Sequence, residues 1–163
     1  MEENMSTKYK QYYLHQRPNG PTTDNDVKVR TVEVDGLAEG ELLIKNEYFS
    51  LDPAIRGWMS DEPSYMPPIE LGDVIRSSTV GTVVESRNSD FAVGDKVYGL
   101  NGWEEYSLSV GYFLTKVPED NPFPLHYYLS AFGAVGLTAY FGITDAADLK
   151  PADTLLMRAA AGA

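Results

Sequence analysis

Short runs of alternating apolar and polar residues, each bounded by glycine, proline or asparagine, constrain the fold of this chain more than any other feature. Side chains alternate between the two faces of a β-strand, so such runs predict strands with one buried face. Residues 27–34 read VKVRTVEV and residues 41–49 read ELLIKNEYF, and we expect these two runs to pair with each other across a turn. Further strands are predicted at residues 74–85, 96–100, 104–109 and 112–117. Strands this short and closely spaced predict a small, closed β-barrel in a mainly β chain.

Three stretches depart from this strand pattern. Residues 50–71 hold four prolines and scattered aromatics with no sustained period, which predicts an irregular segment on the surface or lining a cleft. Residues 125–143 are rich in Ala, Leu, Phe and Tyr and should be helical, with a break near residues 133–136. Residues 154–157 read TLLM and predict a short buried strand that opens an α/β unit.

The charge balance and the lack of cysteine exclude several classes of function. With 24 acidic against 13 basic residues the formal net charge is -11, so we expect no nucleic-acid partner. No apolar run approaches the roughly 20 residues that a membrane span needs, and the opening MEENMSTKYKQYY does not resemble a secretory signal. We therefore expect a cytoplasmic protein with no membrane partner. The chain has no cysteine, which removes disulfides and every zinc site built on sulfur.

A series of motifs resembles a known enzyme group in order and spacing. The motifs are SLDPAIRGWMSDEPSYMPPIELGD at residues 50–73, VGTVVESRNSDFAVGDKVYG at residues 80–99, GWEEY at residues 102–106 and GLTAYFGI at residues 136–143. Together they resemble the leukotriene B4 dehydrogenase, prostaglandin reductase and plant double-bond reductase group of the zinc-independent medium-chain dehydrogenases/reductases. The likeness covers nearly the whole chain, and an ordered series is far more specific than any single motif.

The resemblance implies an arrangement of domains. A GroES-like β-barrel catalytic domain would occupy residues 1–123, connecting helices residues 124–151, and the first strand of a Rossmann dinucleotide-binding domain residues 152–163. We expect that domain to be truncated, because the glycine-rich pyrophosphate turn is incomplete after AAAGA. The full-length enzyme would form a homodimer through the missing domain, and we expect the truncated chain alone to be inactive.

The resemblance also implies a reaction. Relatives in this group use NADP(H) to reduce the activated C=C bond of α,β-unsaturated ketones or aldehydes, which needs no metal because the nicotinamide delivers hydride to the β-carbon. We expect no zinc, since zinc-dependent relatives use cysteine and histidine ligands and the only histidines here, His15 and His126, lie far apart in the sequence. Two alternatives stay open: a quinone reductase of the same superfamily and a non-catalytic GroES-like binding module.

The first candidate cofactor contacts lie at the start of the irregular segment. Asp52, Pro53 and Ala54 match a D-P-x-x-R segment that in relatives lies against the nicotinamide end of the cofactor. Alternatively, Pro53 only fixes a turn and Asp52 caps a neighbouring segment. The sequence departs from the family pattern here, because relatives usually carry Tyr and Met where Ala54 and Ile55 stand.

Further candidates follow along the chain. Tyr65, in SYMPP, matches a tyrosine that lines the substrate pocket in relatives; the alternative is a loop anchor packed on Pro67 and Pro68. Thr138, in GLTAY, matches a helix start close to the nicotinamide, where its hydroxyl could bond the carboxamide or cap the helix. The start of the pyrophosphate turn would be formed by Ala161, Gly162 and Ala163.

The adjacent acids Glu104 and Glu105 could suggest a paired-carboxylate site. Neighbouring residues of a strand point to opposite faces of the sheet, so their carboxylates cannot act together. We expect this pair to be a solvated strand edge.

Overall fold

Antiparallel strands make up most of the structure, a computed structural model that describes residues 6–158. The strands are β1 (Thr7–Leu14), β2 (Val27–Val34), β3 (Leu42–Phe49), β4 (Arg76–Ser86), β5 (Lys96–Gly102), β6 (Tyr106–Ser109) and β7 (Leu114–Lys116). The helices are α1 (Pro53–Trp58), a 3₁₀ helix (Leu125–Leu129), α2 (Ala134–Phe141) and a π-helical turn (Gly142–Ala146). The predicted mainly β class with added helices is confirmed.

The strands form two sheets, and their pairing differs from one expectation. β1 pairs with β2 in one sheet, and the second sheet has the order β6-β3-β4-β5-β7. The prediction that residues 27–34 pair with the following strand is therefore wrong. Arg87, just past β4, explains the difference: its side chain donates to the Leu37 carbonyl and its backbone N–H to the Glu41 carbonyl. These bonds draw the connection between β2 and β3 to the end of β4 instead of closing a hairpin.

Strand β1 was not predicted, yet it joins the two sheets. Its sequence is TKYKQYYL. Leu14 is its one aliphatic residue and the other positions are Thr, Lys, Gln or Tyr, so the alternation of apolar and polar residues is weak. Tyr12 donates its backbone N–H to the Trp103 carbonyl at 2.8 Å and accepts from the Ile75 N–H at 2.9 Å. Although these bonds hold the sheets against each other, the sheets do not close into one continuous cylinder, so the closed barrel is corrected to a two-sheet arrangement.

A short helix stands where the sequence predicted only irregular structure. Helix α1 begins with Pro53 at its first position, where a missing N–H costs nothing. Ile55, Trp58 and Met59 follow at helical spacing and are buried. They pack in a core cluster with Leu14, Ile69 and Ile75. The helix has fewer than two full turns, too short for its period to stand out among the prolines.

The region after β7 is helical, as predicted, with the break near Gly133. A side chain at Gly133 would overlap the Tyr128 carbonyl, which explains the glycine between the 3₁₀ helix and α2. Residues 154–157 form no strand hydrogen bonds within the described residues and are exposed, so the expected strand is not formed. A parallel strand needs neighbouring strands to pair with. No helix among residues 6–158 has the length and apolar character to cross a bilayer.

Candidate functional site

Asp52 and Pro53 open helix α1, at the point where β3 leaves the sheet. Asp52 occupies the N-cap position but its carboxylate makes no capping bond; Oδ2 instead accepts a 2.7 Å bond from the Ser50 hydroxyl. The capping role considered for Asp52 is therefore not found, whereas Pro53 does fix the first turn. Asp52 and Ala54 are half-buried and Pro53 is exposed, so part of this segment is open to solvent.

The carbonyl of Ser50 fixes the backbone that leads into Asp52. It accepts a 2.9 Å bond from the indole Nε1 of Trp103 and a 2.7 Å bond from the hydroxyl of Ser77. The Ser50 N–H in turn donates to the Ser78 carbonyl at 2.8 Å. Because Ser77 is fully buried, its hydroxyl is held away from competing water, and the start of the segment is rigidly placed.

Arg56, the basic residue of the D-P-x-x-R segment, anchors α1 from its other side. Its guanidinium donates to the carbonyls of Pro18 and Gly20 and to the hydroxyl of Ser60, at distances of 2.8–3.0 Å. Several donors in a fixed planar group hold a turn better than one donor can. The arginine therefore positions the segment, a role that the sequence alone did not reveal.

A cavity of about 370 Å³ lies beside this segment. We name it the Trp103 cavity. It is lined by Tyr12, Thr22, Thr23, Asp24, Val27, Phe49, Leu51 and Trp103. Leu51 directly precedes Asp52 in the chain, so the cavity and the candidate cofactor segment are contiguous. The volume falls within the range of small-molecule sites, about 300–1,000 Å³.

Tyr65 is 78% exposed and packs edge-on against the ring of Trp58 in α1, with centroids 6.1 Å apart. Arg76 lies over the same indole at 5.9 Å and donates to the Pro67 carbonyl at 2.9 Å. The tyrosine is thus anchored through Trp58, and it is not among the residues that line the Trp103 cavity. Its predicted place in a substrate pocket stays a prediction.

Thr138 lies in the interior of α2, not at the helix start. Its hydroxyl donates to the Ala134 carbonyl at 2.7 Å, which is a bond within the helix and not a cap. Thr138 lines a different, open cavity together with Leu137, Phe141 and Asp145. Within the described chain the structure therefore does not bring Thr138 and the Asp52 segment into one cavity. The predicted pyrophosphate residues Ala161, Gly162 and Ala163 lie outside the described residues.

The prediction of a solvated edge at Glu104 and Glu105 is wrong for Glu104. Glu105 is exposed, but Glu104 is only 7% exposed. Its carboxylate accepts hydrogen bonds from the Gln11 amide and, at 2.8 Å, from the Ser107 hydroxyl. Burial raises the pKa of Glu104, against the opposing effect of these hydrogen bonds and of Arg30. The alternation of faces was predicted correctly. The sheet of β1 and β2, whose Gln11 contacts the Glu104 carboxylate, could not be seen from the sequence to cover this face.

The histidines and acids of the described part do not gather around a common point. His15 packs edge-on against Tyr13, and His126 packs against Tyr48 and Tyr127. Among residues 6–158, no group of three or more His, Asp or Glu side chains is arranged to hold a metal ion.

Comparisons with known proteins identify the family. A family model described as the N-terminal domain of oxidoreductase matches residues 10–117. The chain is 39% identical over 153 residues to NADPH-dependent curcumin reductase of Escherichia coli K12, covering 94% of this chain and 44% of that protein. It is 34% identical to the NADP(+)-dependent 2-alkenal reductase of Nicotiana tabacum, covering 48% of that protein. The chain thus spans about half the length of the curated relatives it matches.

Solved structures agree with this assignment. The crystal structure of CurA from Vibrio vulnificus superposes with a TM-score of 0.77 at 35% identity, covering 85% of this chain and 40% of CurA. The NADPH complex of the same protein gives a TM-score of 0.76 at 34% identity. The chain therefore belongs to the family of oxidoreductase N-terminal domains, within the zinc-independent group of the medium-chain dehydrogenases/reductases.

Proposed function

We propose that this chain forms the substrate side of an NADPH-dependent oxidoreductase that reduces the activated C=C bond of α,β-unsaturated ketones or aldehydes. The observation that carries the proposal is the rigidly anchored Asp52 segment beside an apolar cavity, in a chain whose similar proteins are named curcumin reductase, prostaglandin reductase 1 and 2-alkenal reductase. In this proposal residues 1–123 are the catalytic domain, residues 124–151 connect, and residues 152–163 begin a nucleotide-binding domain through which the enzyme dimerises.

The polar atoms of the candidate residues fit the nicotinamide end of NADPH. The carboxamide of nicotinamide carries N–H donors. Within the described residues, Oδ1 of Asp52 has no hydrogen-bond partner, and the Thr138 hydroxyl, although it donates to Ala134, can still accept. We assign the carboxamide contact to Asp52 and ring packing to Pro53 and Ala54. Thr138 lines a separate cavity in the described chain, and its contact with the cofactor stays a prediction. NADPH, when bound, supplies the hydride.

The chain's own residues then bind and orient the enone. Apolar walls exclude water from the reacting bond, which strengthens each polar contact made there. The Tyr65 hydroxyl, held above α1 by Trp58, would donate to the carbonyl oxygen of the substrate. A donor at that position stabilises the negative charge that develops on oxygen as the C=C bond is reduced.

The experiment joins this chain to the part of the E. coli curcumin reductase that follows the aligned region, because the 39% identity favours a compatible domain contact. NADPH oxidation is followed with an enone, an alkenal and a quinone. We expect the hybrid to turn over the enone and the alkenal. The 163-residue chain alone should turn over neither, because its described residues can contact only the nicotinamide end of NADPH. If the hybrid reduces the quinone but not the enone, the proposal is wrong and the alternative assignment, a quinone reductase of the same superfamily, takes its place. A folded hybrid that binds NADPH but reduces none of the three would contradict it.

A further inference from the structure

We propose that Glu104 is a positioning residue for the reaction: its charged carboxylate, held in a hydrogen-bonded chain between the two sheets, fixes Trp103 and with it the segment that starts at Asp52. The reaction is that of the proposed function, on which this inference rests, but the contacts of the chain are independent of it. We call this chain of side chains the Glu104 relay. It consists of Arg30, Gln11, Glu104, Ser107 and Asn46.

The relay begins at Arg30 in β2. Its guanidinium Nε and Nη2 both donate to the side-chain carbonyl of Gln11, at 2.8 and 2.5 Å. Because that oxygen is occupied, the Gln11 amide is turned so that its N–H donates to the Glu104 carboxylate. Gln11 and Glu104 are 8% and 7% exposed, so water does not compete for this bond. One buried amide thus joins a cation of the β1–β2 sheet to an anion on the other side of the interface.

Donors also occupy the second oxygen of the Glu104 carboxylate. The Ser107 hydroxyl donates to Oε1 at 2.8 Å and accepts from Nδ2 of Asn46 at 2.8 Å. The same Nδ2 donates to the backbone carbonyl of Glu104 at 2.9 Å, so β3 holds the backbone of Glu104 as well. With a donor at each oxygen, the relay is arranged for a charged carboxylate, which can only accept.

Glu104 belongs to the turn that carries Trp103. A β-carbon on Gly102 would lie 3.2 Å from Oε1 of Glu104 and 2.4 Å from the Val74 side chain, so the carboxylate packs against this glycine. The Glu104 N–H donates to the Gly102 carbonyl at 3.0 Å, which closes the turn. The Trp103 indole, between these two residues, binds the Ser50 carbonyl. A displacement of Glu104 therefore moves the anchor of the Asp52 segment.

Protonation of Glu104 would reverse the relay. The neutral acid has an O–H that needs an acceptor, and Gln11 presents only a donor because Arg30 holds its carbonyl. The Ser107 oxygen can accept this proton if its own hydroxyl turns to Oδ1 of Asn46, a buried acceptor without a partner among the described residues. That exchange requires the Asn46 amide to rotate, which breaks its bond to the Glu104 carbonyl. The charged form holds the turn and the neutral form releases it.

The surroundings bring this change of charge above the ordinary pKa of a glutamate. Burial raises the pKa of Glu104, against hydrogen bonds from Gln11 and Ser107 and the charge of Arg30. Tyr9, the titratable residue that β1 brings near this carboxylate, stays neutral because burial and then Glu104 raise its pKa to about 12. Strand β6 has no charged residue. The other charged residues that line the same space are Glu41, Asp73 and Arg76.

The pH dependence of kcat in the hybrid enzyme tests the positioning role. In Glu104→Gln the amide donates to Ser107 as the protonated acid would, at every pH. Its kcat for an enone should match the parent at the acid end and be about tenfold lower at neutral pH, a loss typical of misplaced contacts. Glu119→Gln, at an exposed position, should follow the parent throughout. A ratio of parent to Glu104→Gln that stays constant with pH would overturn the proposal, because a purely structural loss does not follow the titration.

A second variant moves the titration instead of removing it. Gln11→Met keeps a side chain of similar length but deletes the donor to Glu104. A carboxylate that loses a donor is harder to ionise, so the acid limb of the kcat profile should lie at higher pH than in the parent. An unchanged midpoint would overturn the relay, and this result does not require Glu104→Gln to fold.

Exchange of the indole protons with water tests the relay without turnover. In the ¹H–¹⁵N spectrum of the 163-residue chain, Trp103 reports the bond to Ser50, and Trp58, in the core cluster of α1, is the internal reference. At neutral pH the ratio of the Trp103 to the Trp58 exchange rate should rise about tenfold in Glu104→Gln, because local opening exposes the bonded proton. It should not change in Glu119→Gln.

The two measurements separate this proposal from the proposed function. If the exchange ratio rises in Glu104→Gln but the hybrid reduces no enone, the proposed function is wrong and the relay stands. If the hybrid reduces enones but Glu104→Gln leaves the exchange ratio at its parental value, the relay is wrong and the proposed function stands.

Discussion

The indole Nε1 of Trp103 donates a 2.9 Å hydrogen bond to the carbonyl oxygen of Ser50, two residues before Asp52. The same carbonyl accepts from the buried hydroxyl of Ser77. A strand end that would otherwise be free is thus held from two sides, by β4 and by the segment that follows β5. The Trp103 cavity and the candidate cofactor segment share this anchor, so changes to it should be felt at both.

Removing one of the two donors should destabilise the chain measurably. Ser77→Ala deletes the hydroxyl, and we expect the free energy of unfolding to fall by about 1 kcal/mol, the usual net value of a buried hydrogen bond. Ser78→Ala is the matched control, because this neighbour bonds Ser50 only through its backbone carbonyl. Urea unfolding of both variants measures the difference. Equal losses in the two variants would mean that the Ser77 hydroxyl does not anchor the segment.

The buried carboxyl of Glu104 should make stability depend on pH. Its pKa is raised above the ordinary 4.5, first by burial, so folding takes up a proton between 4.5 and the higher folded value. Its contribution is therefore most favourable below pH 4.5 and declines as the pH rises through that window. Glu104→Gln should gain stability relative to the parent chain as the pH is raised.

Urea unfolding at a series of pH values and fixed ionic strength measures this difference. Glu119→Gln, at an exposed position, controls for the loss of one negative charge from the acidic chain. A difference between the Glu104 variant and its parent that stays constant with pH would contradict a raised pKa.

The hydroxyl of Tyr65 should matter for catalysis and not for folding. In the hybrid enzyme, Tyr65→Phe keeps a ring against Trp58 but removes the donor, so kcat/KM for enones should fall about tenfold, equivalent to about 1.4 kcal/mol. Tyr112→Phe, at a tyrosine 79% exposed elsewhere, should leave kcat/KM unchanged. If the Tyr65 variant keeps the kcat/KM of the parent enzyme across several enones, the hydroxyl has no catalytic role and Tyr65 is only a loop anchor.

Much of the fold could be predicted from the alternation of apolar and polar residues, because a strand with one buried face has an apolar residue at every second position. Residues 27–34, for example, match β2 from end to end. The elements that were missed lack that signal. The buried residues of β1 include Tyr9 and the polar Gln11, so the strand shows no clear apolar alternation, and α1 is too short to show a helical period. The partner of β2 could not be predicted, because the local pattern of a strand does not say which other strand it pairs with. That choice depends on long-range contacts, such as the hydrogen bond from Arg87 to the Leu37 carbonyl in the connection after β2.

The candidate site was predicted less completely than the fold. A motif marked Asp52–Ala54, but the residues that position them come from other parts of the chain: Ser77, Trp103 and, within the motif, Arg56. These residues act by donating hydrogen bonds to backbone carbonyls. The spacing of residues in the sequence does not reveal such bonds. The raised pKa of Glu104 likewise depends on the sheet of β1 and β2, which covers this residue only in the folded chain.

The fate of a deuterium label tests the central claim most directly. The hybrid enzyme is given 4-phenylbut-3-en-2-one and NADPH that carries deuterium at both C4 positions of the nicotinamide, and the product is analysed by NMR and mass spectrometry. Reduction of the activated C=C bond predicts the saturated ketone, with its carbonyl intact and one deuterium on the β-carbon. An allylic alcohol carrying deuterium on the former carbonyl carbon, or a saturated ketone without the label, would contradict the account.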